Sequence, residues 1–303
     1  MWTPVKILLL ASYILSLSAN AQDDTHNLIS KEITGFASQI DSFFAEERSQ
    51  HFVNKSQIRL FVDTEFREST EPVSTPDMRI KLVLPRTQKR LQLIIESDKE
   101  EDKDDDQEIQ SLSSSSDKKK DNTKAGIEYF LPNPKIKTSL GSGILFREIT
   151  PLVFARLRMR KRIKYKSWLI KPEQELMWIS SDGYSTKTSL DFDKRLNNEY
   201  LFRVANDIKW NDKEYDVDFR NGPSLYQKIN KKIGLSYNFR IISSDAPVLA
   251  VNNYSFSVNY RQLLYKKWFF WTVSPALNFP RENNFHRTPG LTIRFEIIAG
   301  YVK

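Results

Sequence analysis

From Ser56 onward the chain alternates apolar and polar positions with a period of two. Ile58, Leu60, Val62 and Phe66 alternate with Arg59, Asp63, Glu65 and Arg67. Val153, Ala155, Leu157 and Met159 are interleaved with Arg156, Arg158 and Arg160. Ile233 to Ile241 alternate with Gly234, Ser236, Asn238 and Arg240, and Tyr254 to Tyr260 with Ser255, Ser257, Asn259 and Arg261. The final segment sets Leu291, Ile293, Phe295 and Ile297 against Thr292, Arg294 and Glu296. Side chains alternate faces along a strand, so each segment has one apolar and one polar face. Turn signals separate the segments: Ser181-Asp182-Gly183, Asn197-Asn198, Asn211-Asp212, Asn230-Lys231 and Asn252-Asn253.

Segments of roughly 9 to 11 residues suit tilted strands that cross a bilayer. Trp168, Trp178, Trp210, Trp268 and Trp271 sit near segment ends, as aromatic girdles require. The pattern predicts an all-β fold over 56–303, a transmembrane antiparallel β-barrel of about 12 to 14 strands. Two places decide the count. The apolar phase flips around Pro85-Arg86-Thr87-Gln88 and again around Pro132-Asn133-Pro134. Two turns give fourteen strands and two kinked long strands give twelve. With both chain ends on the periplasmic side, fourteen strands put the acidic and basic run at 97–125 outside the cell. That run, with Asp104-Asp105-Asp106 and Lys118-Lys119-Lys120, cannot bury a core and reads as a disordered charged loop.

The first 55 residues follow different rules. Lys6, the apolar run Ile7 to Leu17, and Ala19-Asn20-Ala21 form a signal peptide over 1–21, with Gln22 as the first mature residue. Within 22–55, Leu28, Ile29, Ile33, Phe36, Ile40, Phe43 and Phe44 recur at helical spacing, opposite Lys31, Glu32, Asp41, Glu46 and Glu47. This is an amphipathic helix interrupted by Gly35. Such a stripe needs a partner, so the helix reads as a periplasmic arm, a partner-binding helix or a plug in the barrel mouth, or else as a helix packed on the barrel's own end.

Composition narrows the chemistry. The chain of 303 residues holds no cysteine, which excludes disulfides, thiolate catalysis and cysteine-bound metal. Aromatics reach 12% beside 28% charged residues, and the net charge is +8. No nucleophile elbow, zinc motif, P-loop or dinucleotide fingerprint occurs, so no cofactor or metal is expected. Of His26, His51 and His286, only His286 stands near a strand top, and it reads as an exposed loop histidine. The polar faces carry the candidate functional residues: Arg59, Asp63, Glu65, Arg156, Arg158, Arg160, Asp191, Asp193, Arg203, Arg240, Arg261, Arg294 and Glu296. In an enclosed lumen these either pair and fill the interior or line a pore that favours anions.

Tyr260-Arg261-Gln262-Leu263-Leu264, Lys267-Trp268-Phe269-Phe270, Phe279-Pro280-Arg281-Glu282 and Arg294-Phe295-Glu296-Ile297 resemble a set of uncharacterised outer-membrane barrel proteins from proteobacteria. Leu84-Pro85-Arg86-Thr87 and Ser181-Asp182-Gly183-Tyr184 are also similar. The resemblance implies the barrel and the outer membrane and attaches no activity. The expected function is a narrow channel or a structural surface protein without a catalytic site. The expected partners are outer-membrane lipid, lipopolysaccharide and the barrel-assembly machinery, with no nucleic acid. The alternatives are a barrel enzyme acting on lipid or surface substrate, and a soluble periplasmic β protein that binds a partner through its helix.

Overall fold

The computed structural model describes residues 35–41, 43–44, 56–68, 71–84, 90–99, 121–133, 135–147, 149–213, 216–245, 248–266 and 268–300. The signal segment 1–21, Gln22, His26, His51 and most of the charged run lie outside the described residues.

The strands run β1 (Gln57–Arg67), β2 (Val73–Val83), β3 (Leu91–Lys99), β4 (Asp121–Phe130), β5 (Lys137–Arg147), β6 (Thr150–Arg160), β7 (Ile163–Tyr165), β8 (Trp168–Ile179), β9 (Gly183–Arg195), β10 (Tyr200–Asn211), β11 (Val217–Lys228), β12 (Ile233–Ser244), β13 (Ala250–Tyr265), β14 (Phe269–Pro280) and β15 (Thr288–Ala299). Apart from β6 and β7, each pairs antiparallel with its chain neighbour, β1 pairs with β15, and β6 pairs with β8. The sheet is therefore closed. The short β7 continues the line of β6 past Lys161 and Arg162 and pairs with the start of β8. Counting β6 and β7 as one crossing, the barrel has fourteen strands.

The count follows from the two ambiguous prolines. The flips near 85–88 and 132–134 are turns, because β2 folds back onto β3 and β4 onto β5. The Asn133 side chain accepts from the Lys135 and Ile136 amides and closes the second turn. Asn197 does the same for Glu199 and Tyr200, and Asn230 for Lys232 and Ile233. These are the local side-chain turns that asparagine favours. Two expectations are corrected. Asn252-Asn253 is no turn but lies within β13. There the buried Asn253 accepts the Phe279 amide and donates to Asn278, so it links strands rather than reversing the chain. The charged run is also shorter than 97–125. Ser97–Lys99 and Asp121–Ala125 belong to β3 and β4, where ladder bonding outweighs their polar composition.

The dyad pattern sorts into two surfaces. Ile58, Leu60, Val62, Ile127, Leu140, Ile144, Val153, Phe239, Phe256, Phe295 and Ile297 are exposed, and all lie on the outer face. Their polar neighbours are buried. A surface that apolar has only hydrocarbon as a compatible solvent, and closure leaves no strand edge unpaired within it. Near the mouth where β1 begins and β15 ends, Trp168 packs edge-on to Phe202, Tyr260 on Trp271, and Phe269 stacks on Phe295.

This placement predicts an asymmetric response to charge. Val62 lies mid-strand on the outer face, 42% exposed. Val62→Arg is expected to lower unfolding stability in lipid vesicles by about 2–4 kcal/mol. Denaturant titration of the folded band, which migrates differently when unheated, measures it. An unchanged midpoint would mean that Val62 does not face lipid.

Candidate functional site

The inner wall carries ion pairs within and between strands, some of which span an intervening strand. Register brings them together. Arg158 stands opposite Glu175 and Arg160 opposite Glu173 across the β6–β8 seam. Arg158 pairs with Glu175 and approaches Glu173 at 3.5 Å, while Arg160 meets Glu173 at 2.8 Å. Arg156 reaches back to Glu128 at 3.8 Å, and Ser139 donates to the same carboxylate at 2.6 Å. On the opposite seam, Asp63 and Arg294 are register partners joined by two bonds of 2.6 and 3.0 Å. Glu296, fully buried, is shared by Arg59 and Arg261. Glu65 bonds Arg67 at 2.8 Å. Arg240 donates to the Pro223 and Phe239 carbonyls.

Several guanidiniums also cover aromatic faces. Arg294 lies 4.4 Å from the centre of the Phe61 ring, with Arg59 and Arg79 at 5.6 Å. Arg261 lies 4.4 Å from that of Phe270. A planar cation over a ring face is attracted to it while its edge still bonds a carboxylate.

A third group closes the mouth where the chain enters and leaves. Residues 35–44, described apart from position 42, form a helix, here α1. Phe36, Ala37 and Ile40 are buried against Leu169 of β8, Leu201 of β10 and Tyr226 of β11. Phe44 packs edge-on to Tyr226 and Phe43 to Phe270 of β14. The helix thus contacts strands on opposite sides of the mouth, and it lies inside the barrel. Gly234 makes room for it: a Cβ there would come within 2.8 Å of both the Phe43 and Phe44 rings. Asp41 points into the wall. Arg203 grips it at 2.5 Å and Asp193 at 2.7 and 2.9 Å. Lys171 lies 3.6 Å from Asp41, 2.9 Å from Asp193 and 3.7 Å from Asp191. Arg195 covers the Phe36 ring at 4.9 Å, and Lys228 donates to Gln39.

Each of the thirteen residues singled out in the sequence therefore has a place on the buried face of its strand. The reading missed Lys171, Glu173, Glu175, Glu128 and the partners of Asp41. Lys171, Glu173 and Glu175 do alternate. Their strand went unnoticed because Pro172 and Gln174 interrupt its apolar face. Glu128 could have been found from Ile127 and Tyr129 on either side. The partners of Asp41 carry no local signal, since Arg203 is 162 residues away.

At the opposite mouth, Asp182 in the β8–β9 turn receives two bonds from Arg147, 3.1 and 2.5 Å long, and one from Lys213 at 3.3 Å. Three connections are thereby tied together. His286 is exposed after a short helical turn, its amide bonded to the Asn283 carbonyl.

No family model matches the chain, and no curated protein is a detectable relative. Among solved structures, the chain is similar to OmpT, an outer membrane protein of Vibrio cholerae, with 8% identity, 80% of this chain and 96% of that one covered, and a TM-score of 0.45. It is similar to the outer membrane channel DcaP of Acinetobacter baumannii with 6% identity, 80% and 96% coverage and a TM-score of 0.45. It is also similar to the KdgM porin in complex with disordered oligogalacturonate, with 8% identity, 79% and 98% coverage and a TM-score of 0.40. The barrel stands on its own hydrogen-bonded closure and its apolar outer face.

Two outcomes follow from the ion pairs. Glu296→Leu strands two buried guanidiniums and is expected to cost about 3–5 kcal/mol in denaturant unfolding. A loss below 1 kcal/mol would mean that water already compensates those charges. The Asp182 carboxyl is held below its ordinary value of 3.8, chiefly by hydrogen bonding from Arg147. Its contribution is complete above pH 3.8 and fades as pH falls through the depressed folded value. Proteolytic nicking of the Asp182 turn after acid exposure should rise only below pH 3.8. Asp182→Asn should be nicked readily at neutral pH with no added acid step.

Proposed function

We propose that this protein is an outer-membrane channel held shut at its periplasmic mouth by its own helix α1. The observation that carries the reading is Asp41, a helix carboxylate buried within the barrel between Arg203 and Lys171. Fourteen strands enclose a lumen wide enough to conduct unless something occupies it. The inner charges line it, and α1 blocks one end through Phe36, Ile40, Phe43 and Phe44.

Location in the outer membrane is supported by the closed, apolar-faced barrel and by the signal segment read at 1–21. The start of β1 and the end of β15 then face the periplasm, and the end of β3 and the start of β4 face outside. The net charge of +8 is suited to anionic lipid heads and lipopolysaccharide. Insertion would proceed through the barrel-assembly machinery.

The second reading is a permanently filled structural barrel, favoured by the density of ion pairs across both seams. Planar-bilayer recording separates the two. The wild-type protein should show long closures with rare openings. Asp41→Asn, which keeps the helix but weakens its grip, should raise the open fraction. Gly234→Val, which crowds Phe43 and Phe44 without touching a charge, should do the same. If both variants fold to the heat-modifiable form and conduct no more than wild type, the filled barrel is the better account.

A further inference from the structure

The same kind of four-residue turn occurs twice at the end of the barrel where β1 begins. Tyr165-Lys166-Ser167-Trp168 joins β7 to β8, and Tyr265-Lys266-Lys267-Trp268 joins β13 to β14. In each, the lysine after the tyrosine is left-handed, with φ of 51° at Lys166 and 48° at Lys266. Glycine or asparagine fills such a position at less cost, so lysine there runs against local preference. In each, the ammonium comes back over the preceding ring, 5.6 Å from the centre of Tyr165 and 5.2 Å from that of Tyr265. Both tyrosines are exposed. The turn thus sets a cation on an exposed ring at two points of one rim.

Other cations share that rim. Lys231 and Lys232 are exposed in the β11–β12 turn, and the Lys232 carbonyl accepts from the Leu263 amide, close to the second turn. Lys164 is exposed beside the first. Lys194 stands opposite Trp168 on the outer face, its ammonium 5.4 Å from the centre of that ring. Among the described residues of this rim, Glu199 is the one exposed acid. The opposite rim is mixed, with Asp182, Asp212 and Glu282 among Lys213 and Arg281.

Depth decides what the cations meet. Leu169 is buried inside, so Trp168 faces out, where it packs on Phe202. Trp268 packs on Phe269, and Phe269 on Phe295, along the outer wall. Such rings mark the boundary between hydrocarbon and headgroups. Lysines in the turns just beyond them stand at headgroup depth, with their stems along apolar rings and their charge toward phosphate.

We propose that these two turns, with the lysines beside them, bind acidic phospholipid headgroups of the periplasmic leaflet. Charge complementarity calls for an anion, and the aromatic band directly beneath the cations places that anion in the bilayer. The proposal rests on the outer-membrane placement given above and not on the closed lumen. It assigns to one rim a partner that net charge alone leaves unplaced.

The test uses the folded full-length protein in non-ionic detergent micelles doped with phosphatidylglycerol or phosphatidylcholine. The temperature at which the heat-modifiable folded band disappears is the readout, since a lipid that binds the folded form raises it. Phosphatidylglycerol should raise it for the wild type and phosphatidylcholine should not. Each lysine of the rim replaced by glutamine should weaken the response to phosphatidylglycerol by roughly fivefold at low salt. Lys166→Gln with Lys266→Gln should therefore lose most of it, while Lys166→Arg with Lys266→Arg keeps it. Lys213→Gln with Arg281→Gln, on the opposite rim, should also keep it. Lumen conductance does not enter this readout, so a failure of the gate would leave the result standing. An equal response in the wild type and in the Lys166→Gln, Lys266→Gln variant would overturn the proposal. So would equal loss in the opposite-rim variant, or equal protection of the wild type by phosphatidylcholine or by inorganic phosphate.

Discussion

A closed sheet gives every strand one face for hydrocarbon and one for an enclosed interior. The second face cannot shed its charges to bulk water, so it must satisfy them itself. This constraint organises the molecule. Strand closure through β1–β15 and β6–β8 sets the registers, and the registers put Asp63 beside Arg294, Arg158 beside Glu175 and Glu173 beside Arg160. Arginine dominates because its planar fork can bond a carboxylate while lying over Phe61 or Phe270. The same demand draws the helix in. Asp193, Arg203 and Lys171 form a cluster that Asp41 completes, and the apolar side of α1 then covers Leu169, Leu201 and Tyr226. Helix and wall are each incomplete without the other.

The functional consequence lies in how unequal the two kinds of contact are. Ion pairs of the wall join residues of strands that backbone pairing already holds in register. The contacts of α1 join a separate element to the wall. Among the described residues they include one carboxylate held by two cations, a small apolar cluster, a few aromatic edges, a cation over Phe36 and a bond from Lys228 to Gln39. A change at the helix therefore alters the mouth and leaves the barrel standing, which is what a gate requires. In the proposed channel, lumen charge and gate are coupled because Arg203 serves both the wall through Asp193 and the helix through Asp41.

The barrel was legible in the sequence because period-two alternation is local. Ile58 to Phe66 and Leu291 to Ile297 declare their faces without knowledge of any partner. The ambiguity between twelve and fourteen strands arose because a phase flip at a proline is the same signal for a bulge and for a turn, and only pairing decides between them. Asn252-Asn253 misled for a related reason: asparagine favours turns, yet Asn253 is a cross-strand link in β13. The inner pairs were legible as a set of charges and not as pairs, because partners such as Arg59 and Glu296 lie at opposite ends of the chain. β8 went unseen because its outer face is polar at Gln174.

The central claim is that α1 sits within the lumen and controls it. Ile40 and Leu201 pack in one buried cluster, and no native thiol competes with cysteines placed there. Conductance of the Ile40→Cys, Leu201→Cys double variant, recorded before and after reduction in the same bilayer, tests the claim most directly. The account predicts a silent oxidised channel that begins to open once the disulfide is reduced. Equal conductance in both states, with the disulfide confirmed, would contradict it.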